Sequence, residues 1–454
     1  MSRLPGMSFL FYFLPALFYL LRMTTDESTR KEQLKRYLDL VCSTWTARHD
    51  NAATLCGKAV CAAFELITRL GPSHRARVLA QELVELADDR INSFDYKSVP
   101  ECWRRLYTDA SIALVAIKMQ QQDSSQEDAC SAAIMVAQLD MAIIIAGAPG
   151  PQRHDMVQGL IKCAQKVMPE QYDIAQSPRK RIKLADSQQR KESPRITHDL
   201  IALPQFPDLD EYLARYCREP FVVRGGCRHW SAFSLWSKRA HLERIAGPHR
   251  IVPVEIGGDY TAADWGQQIL PFTAILDAIF DPPSDRKLYL AQHDLFKQFP
   301  DLENDLVIPD LVYSCPPRPT DVPNYQPVSN EQGYLLNAWL GPTDTVSPAH
   351  TDPYYNCYAQ VFGSKWVWVA PPSCAASMNA FGTSNSDESG FDTGREPDDK
   401  VSTSHLLTNT SRIDVTRPIE DMDAKTAAEF RQNVEPVAQQ AVLNAGDMLV
   451  MPPG

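Results

Sequence analysis

The stretch from Asn337 to Val369 restricts the fold more than any other part of the chain. Its apolar residues come in short runs, Ala338-Trp-Leu, Cys357-Tyr-Ala-Gln-Val-Phe and Trp366-Val-Trp-Val, punctuated by Gly341-Pro342, Pro353 and Gly363. Runs of this length, rich in aromatic and β-branched residues and bounded by turn formers, read as strands. On a strand, residues two apart share a face, so His350 and Asp352 present an imidazole and a carboxylate to one side while Thr351 points away. Asn356 follows, and Lys365 opens the next run after a Gly-Ser turn, which places four polar groups within sixteen residues. An imidazole plus a carboxylate is part of the two-His, one-carboxylate set that holds non-haem Fe(II) with positions left open for small ligands. A lysine on a neighbouring strand offers an acidic co-substrate a mobile charge with three donors.

The same β-type grammar extends over residues 199–454. Phe221-Val-Val-Arg, Ile251-Val-Pro-Val-Glu-Ile, Leu288-Tyr-Leu-Ala, Tyr334-Leu-Leu-Asn-Ala-Trp-Leu and Ala441-Val-Leu carry the strand signal, with helices expected around 208–217, 235–246 and 270–280. Many short strands between Gly and Pro turns suit a barrel or sandwich. Residues 373–400, rich in Ser, Gly and acid, interrupt this pattern and read as a disordered surface insertion.

Upstream the period changes. From residue 27 to 173 apolar positions recur at helical spacing, as in Leu34, Tyr37, Leu38 and Val41 and again in Leu79, Leu83 and Leu86. Gly71-Pro72-Ser73, Asp123-Ser-Ser and Gly147-Ala-Pro-Gly-Pro151 punctuate about six helices, an irregular bundle or solenoid without a fixed repeat. This half shows no catalytic constellation. Residues 174–198 are polar and charged, a flexible tether whose Arg179, Lys180, Arg181 and Lys183 read equally as a nuclear-import signal or as a solvated linker. Residues 1–26 include the apolar run Ser8–Leu21, open to three readings: a signal or anchor, a buried arm, or a segment upstream of a true start at Met23.

At 454 residues, two domains are the expectation. A formal charge of −11 argues against a general nucleic-acid binder, which needs a basic face. Eleven cysteines form no Cys-x-x-Cys pair, so zinc-finger chemistry is not expected and reduced thiols in a nuclear or cytoplasmic protein are, which favours the Met23 start and makes membrane attachment through the N-terminus an expectation only if that apolar run is real.

The Asn337–Val369 stretch resembles the jumonji-C (JmjC) branch of the cupin-type Fe(II)/2-oxoglutarate oxygenases, in particular its arginyl-hydroxylase and lysine-demethylase-8 subgroup. Also similar are Glu219-Pro-Phe-Val-Val-Arg-Gly, Ile251-Val-Pro-Val-Glu255-Ile-Gly, Asp259-Tyr-Thr, Tyr289-Leu-Ala-Gln292-His and Ser404-His-Leu-Leu-Thr-Asn-Thr-Ser-Arg-Ile-Asp-Val, in family order. The resemblance implies an α+β protein, an N-terminal all-α domain followed by a double-stranded β-helix of the jelly-roll or cupin type. It implies Fe(II) on His350 and Asp352, the distal carboxylate of the co-substrate 2-oxoglutarate on Lys365, Tyr289, Ser347 and Asn356, and O2 as oxidant. Glu255, Gln292 and Trp339 match positions that line the peptide-substrate pocket. A protein substrate with a basic side chain is implied, hydroxylated on arginine or, as a variant outcome, demethylated on lysine. The third ligand should be a His shortly after the Gly446-Asp447 turn; the sequence reaches Gly454 without one, and His405 matches a non-ligand position. The expectation is a C-terminally incomplete JmjC domain, a fragment or truncated gene product. The competing reading is a degenerate cupin acting as an interaction scaffold through its helical domain.

Overall fold

The computed structural model describes residues 27–46, 55–95, 98–121, 129–166, 198–257, 265–281, 287–322, 325–381 and 409–454. The apolar run at 8–21, the basic run at 179–183, Asp259 and His405 lie outside the described residues. Two compact units result, one reaching Asp173 and including Pro248–Ile251, the other formed by Ile174–Gly247 and Val252–Gly454.

The first unit is built from α1 (Glu27–Thr46), α2 (Lys58–Leu70), α3 (His74–Asn92), α4 (Glu101–Gln121), α5 (Ala129–Ile144) and α6 (Arg153–Lys166). Every residue of α4 from Leu106 to Ile117 is buried, so this helix has no solvent face and runs through the middle of the unit. Leu34, Leu38, Val41 and Trp45 bury one stripe of α1, and the Trp45 indole stacks on Phe64 of α2 at 5.3 Å between centroids. Ser73 caps α3 by accepting from Ala76 N at 3.2 Å, a contact that contributes about 1 kcal/mol in such positions. Two carboxylates of this unit, Asp109 and Asp140, are fully buried. Asp109 of α4 receives Arg153 Nε at 2.8 Å and Trp45 Nε1 at 2.7 Å, while Arg153 Nη2 also reaches Thr44 Oγ1 at 2.8 Å.

Among the described residues, the second unit holds eleven strands in three sheets. β1 (His198–Asp199), β10 (Gln439–Asn444) and β9 (Ser364–Val369) form one; β2 (Ile201–Leu203), β3 (Phe221–Val223), β11 (Met448–Met451) and β8 (Asn356–Ala359) form the second. The third contains β5 (Gly266–Pro271), β4 (Ile251–Ile256), β6 (Leu288–His293) and β7 (Ala338–Leu340). Helices at Arg239–Ala246 and Phe272–Phe280, and a helical turn at Leu209–Glu211, fall where the apolar pattern places them.

The first two sheets are joined by a bent ribbon. β8 pairs antiparallel with β11, and β9 with β10, so the chain passes twice from one sheet to the other at a single corner. Gly446 N bonds Gln360 O at 2.7 Å and Gln360 N bonds Asp447 O at 2.9 Å, tying the two passages together. Residues 360–363 on one side oppose only 445–447 on the other, an extra residue of the kind that bends a ribbon. Gly446 has φ +96°, and a Cβ there would collide with Arg228 Cγ, so only glycine suits this close approach. Asp447 locks the turn, accepting from Arg224 Nη1 at 2.7 Å, Gly225 N at 2.9 Å and Asn444 N at 3.0 Å. Burial works against its charge, but those donors outweigh burial and hold its carboxyl below the usual range. Beyond the corner, Leu200, Val222, Ala441, Leu443 and Leu449 pack with Tyr358, Val367 and Val369, so the two sheets face each other across one apolar interior. This is the double-stranded β-helix.

Three expectations change. β8 and β9 are consecutive in sequence but belong to different sheets, because the corner intervenes. His350 and Asp352 are not on a regular strand; their extended segment makes a single antiparallel bridge from His350 to Thr410. Residues 373–378, expected within the disordered insertion, belong to a 3-10 helix, Pro372–Met378, with Cys374 buried against Phe430 and Val434; residues 382–408 lie outside the described residues.

Candidate metal and anion site

The segment carrying His350 and Asp352 is fastened to residues 409–411. Thr351 N bonds Asn409 O at 3.0 Å, Asn409 Nδ2 bonds Thr351 O at 2.9 Å, and Ser411 N bonds Ala349 O at 2.8 Å. Beside it, Gly454 N bonds Asp352 O at 2.8 Å, so the backbone after β11 runs alongside the pair.

The two side chains are prepared as ligands. His350 Nδ1 lies 2.7 Å from Pro348 O, and a carbonyl can only accept, so Nδ1 carries the proton and Nε2 keeps its lone pair. Asp352 Oδ2 takes a long hydrogen bond from Asn356 Nδ2 at 3.4 Å, which leaves Oδ1 toward His350. His350 Nε2 and Asp352 Oδ1 are 3.8 Å apart, too far for a hydrogen bond. Two metal–ligand bonds of about 2.1 Å can span up to about 4 Å, so one small cation fits between them. A half-exposed imidazole and carboxylate with free lone pairs, separated by the span of one ion, match the requirements of Fe(II). Among the described residues no group of three His, Cys, Asp or Glu side chains gathers to hold a metal.

His350 and Asp352 open onto a broad cavity of about 2870 Å³ within this unit, shared with Tyr289, Trp339, Ser347 and Lys365. Lys365, at the start of β9, is largely buried, and its Nζ donates to Tyr289 Oη at 3.3 Å. It also lies 5.3 Å from the centroid of the Tyr358 ring. Burial pulls its pKa down, but the oxygens of Tyr358 and Tyr289 more than offset this and raise it, so the ammonium stays charged. Among the described residues no carboxylate comes within ion-pair distance of it. A buried cation whose partners are phenols and a cavity is arranged to receive an anion from outside.

The remaining expected residues are distributed unevenly. Ser347 lines the cavity on the loop between β7 and His350. Asn356 is nearer the metal pair than the anion site, being bonded to Asp352. Trp339, 38% exposed between the buried Ala338 and Leu340, turns into the cavity with its ring 6.3 Å from Tyr358. Glu255 does not line the cavity, but it is the register partner of Tyr289 across β4 and β6 and so shares its sheet face; burial raises its carboxyl pKa. Gln292 is not brought in. It sits in a bulge between Leu290 and His293 with φ +49°, away from the lining. Gly341 was not singled out by the sequence, yet a Cβ there would press to 2.7 Å from Tyr289 Cδ2, so its absence lets the following loop lie against that ring. Tyr358 was also missed, although it follows Asn356 at the two-residue spacing that shares a strand face.

The sequence matches the cupin-like domain family over residues 209–454. The chain belongs to the cupin-like family. It is similar to JmjC proteins, being 30% identical over 255 residues to lysine-specific demethylase 8 of Xenopus tropicalis, covering 55% of this chain and 48% of that one. It is 33% identical over 263 residues to Jumonji C domain-containing protein 5 of Drosophila melanogaster, 55% of each chain. The chain thus spans about half the length of these curated relatives. A match to lysine-specific demethylase 8 of Danio rerio, 26% identical over 385 residues and 82% of each chain, is long enough to reach into the helical unit. No described helix of this cupin-like protein is long and apolar enough to cross a membrane.

Proposed function

We propose that this chain carries the iron- and co-substrate-binding core of an Fe(II)- and 2-oxoglutarate-dependent oxygenase that hydroxylates a basic side chain of a protein substrate. The observation that carries this reading is the pairing, in one cavity, of two metal-ready lone pairs on His350 and Asp352 with the ammonium of Lys365, which has no carboxylate partner among the described residues. Fe(II) bound with 2-oxoglutarate and O2 supplies the oxidising power to convert a C–H bond to C–OH, with succinate and CO2 as the other products.

The chain's own residues do the rest. Pro348 O fixes the His350 tautomer so that Nε2 faces the metal position, and Asn356 steadies the Asp352 carboxylate. Lys365 and Tyr289 neutralise and hydrogen-bond the far carboxylate of the co-substrate, with Ser347 lining the same cavity. Trp339 offers an indole face to a cation, and Glu255, across the register from Tyr289, a carboxylate that a guanidinium can engage in two-pronged fashion. Arginine is therefore the favoured target, and methyl-lysine the second. The basic run at 179–183 would direct the protein to the nucleus.

The test is succinate formation from 2-oxoglutarate by the purified protein, with and without Fe(II), in the presence of arginine-bearing or methyl-lysine-bearing peptides. Iron-dependent succinate release, with one oxygen gained on the arginine peptide, is expected. Absence of any affinity for 2-oxoglutarate in the presence of the metal would sink the reading and leave a cupin scaffold.

A further inference from the structure

Tyr358 has a role that its place in an apolar run conceals. Its hydroxyl donates to Gln360 Oε1 at 3.1 Å, and Gln360 Nε2 donates onward to Phe362 O at 2.7 Å. The main chain of Gln360 is itself clamped at the ribbon corner by Gly446 and Asp447, so this acceptor cannot drift. The Tyr358 proton is thus committed, and its oxygen has only lone pairs to offer. The cation at hand is Lys365, 5.3 Å from the Tyr358 ring centroid and 3.3 Å from Tyr289 Oη. Tyr289 stands the other way round. Its oxygen accepts from Lys365, and among the described residues its own O–H has no acceptor. The two phenols flanking the ammonium therefore have opposite capacities, one accepting only and one with a donor still unused.

We propose that Tyr358, anchored through Gln360, is a positioning residue that holds the Lys365 ammonium toward the cavity, so that Lys365 and Tyr289 present one donor each to the two oxygens of the co-substrate's distal carboxylate. This rests on the 2-oxoglutarate reading and adds to it the device that makes the anion site selective for a second carboxylate. A ligand lacking that group gains nothing from Tyr358. Removing the hydroxyl while keeping the ring preserves packing against Trp339 and loosens only the ammonium.

The experiment is calorimetric titration of the full chain with 2-oxoglutarate and with 2-oxobutanoate, which has the same keto-acid head and no distal carboxylate, both in the presence of Mn(II). Tyr358→Phe is expected to weaken 2-oxoglutarate about five-fold and leave 2-oxobutanoate unchanged, and to have no further effect once Lys365 is Ala. Equal losses for the two acids, unchanged affinity for both, or a full Tyr358→Phe effect in the Lys365→Ala background would overturn the assignment. Lys365→Ala alone separates the two levels: if it leaves 2-oxoglutarate affinity intact, the co-substrate reading itself fails, whereas its loss together with a silent Tyr358→Phe removes only the positioning role.

Discussion

The helical and β units each bury a charge, and they treat it in opposite ways. Asp109 is saturated, with Arg153 and Trp45 within 2.8 Å and no exposure to solvent. Lys365 is left with phenol oxygens, ring faces and an open cavity. A buried charge whose partners are supplied by the fold serves architecture, because removing one partner strands the other in a medium that cannot solvate it. A charge left with room for one more partner is arranged for a ligand. The same contrast holds between Asp447, closed by three donors, and Asp352, whose Oδ1 faces His350 across 3.8 Å without bonding it.

The contrast breaks first at Asp109. Asp109→Ala leaves Arg153 buried without its carboxylate and should cost about 3–5 kcal/mol of stability, read from the shift of a urea midpoint; a loss below about 1 kcal/mol would show that the network is not architectural. Next in size is Gly446→Ala, which puts a Cβ at positive φ against Arg228 and should cost about 1–3 kcal/mol by the same measurement. Lys365→Met should behave in the reverse sense: stability should change by less than about 1 kcal/mol while 2-oxoglutarate affinity, followed by calorimetry with Mn(II), falls at least about ten-fold. Asp447 sharpens the comparison through pH. Its folded pKa is depressed, so its stabilisation is complete above the unfolded value of about 3.9 and is lost as pH falls through the lower folded value. The stability gap between wild type and Asp447→Asn, measured by urea unfolding from pH 7 to pH 2, should therefore close only below about pH 4. The smallest effect is expected for His350→Ala, which should alter stability by less than about 0.5 kcal/mol yet weaken Mn(II) binding; unaltered metal affinity would remove His350 from the site.

Much of this was legible because it is local. Helical spacing at Leu34, Leu38 and Val41 reports a buried stripe directly, and His350-x-Asp352 reports two groups on one side of an extended segment whether or not that segment joins a sheet. What escaped depends on partners far away in sequence. The segment around His350 is held by residues 409–411, about sixty positions on, and nothing near His350 announces them. The division of β8 and β9 between two sheets depends on how β10 and β11 bend beside them. Gln292 is a different case: three positions from Tyr289, it would face the opposite side under regular alternation, and the bulge in β6 does not bring it to the cavity lining. Tyr358 was readable by alternation from Asn356, but a tyrosine in an apolar run passes for filler until its hydroxyl is seen to be spoken for.

The unequal corner of the ribbon has a further consequence, in the phase of the strands it joins. Before the bend the inward-facing residue is the even-numbered Tyr358; after it they are the odd-numbered Val367 and Val369, and Lys365 is in step with them. The supernumerary residue among 360–363 is what flips the parity. Excising one position there would set β9 out of step, turning Trp366 and Trp368 inward and Lys365 out toward water, with the composition of the site almost untouched and its cation on the wrong side of the wall.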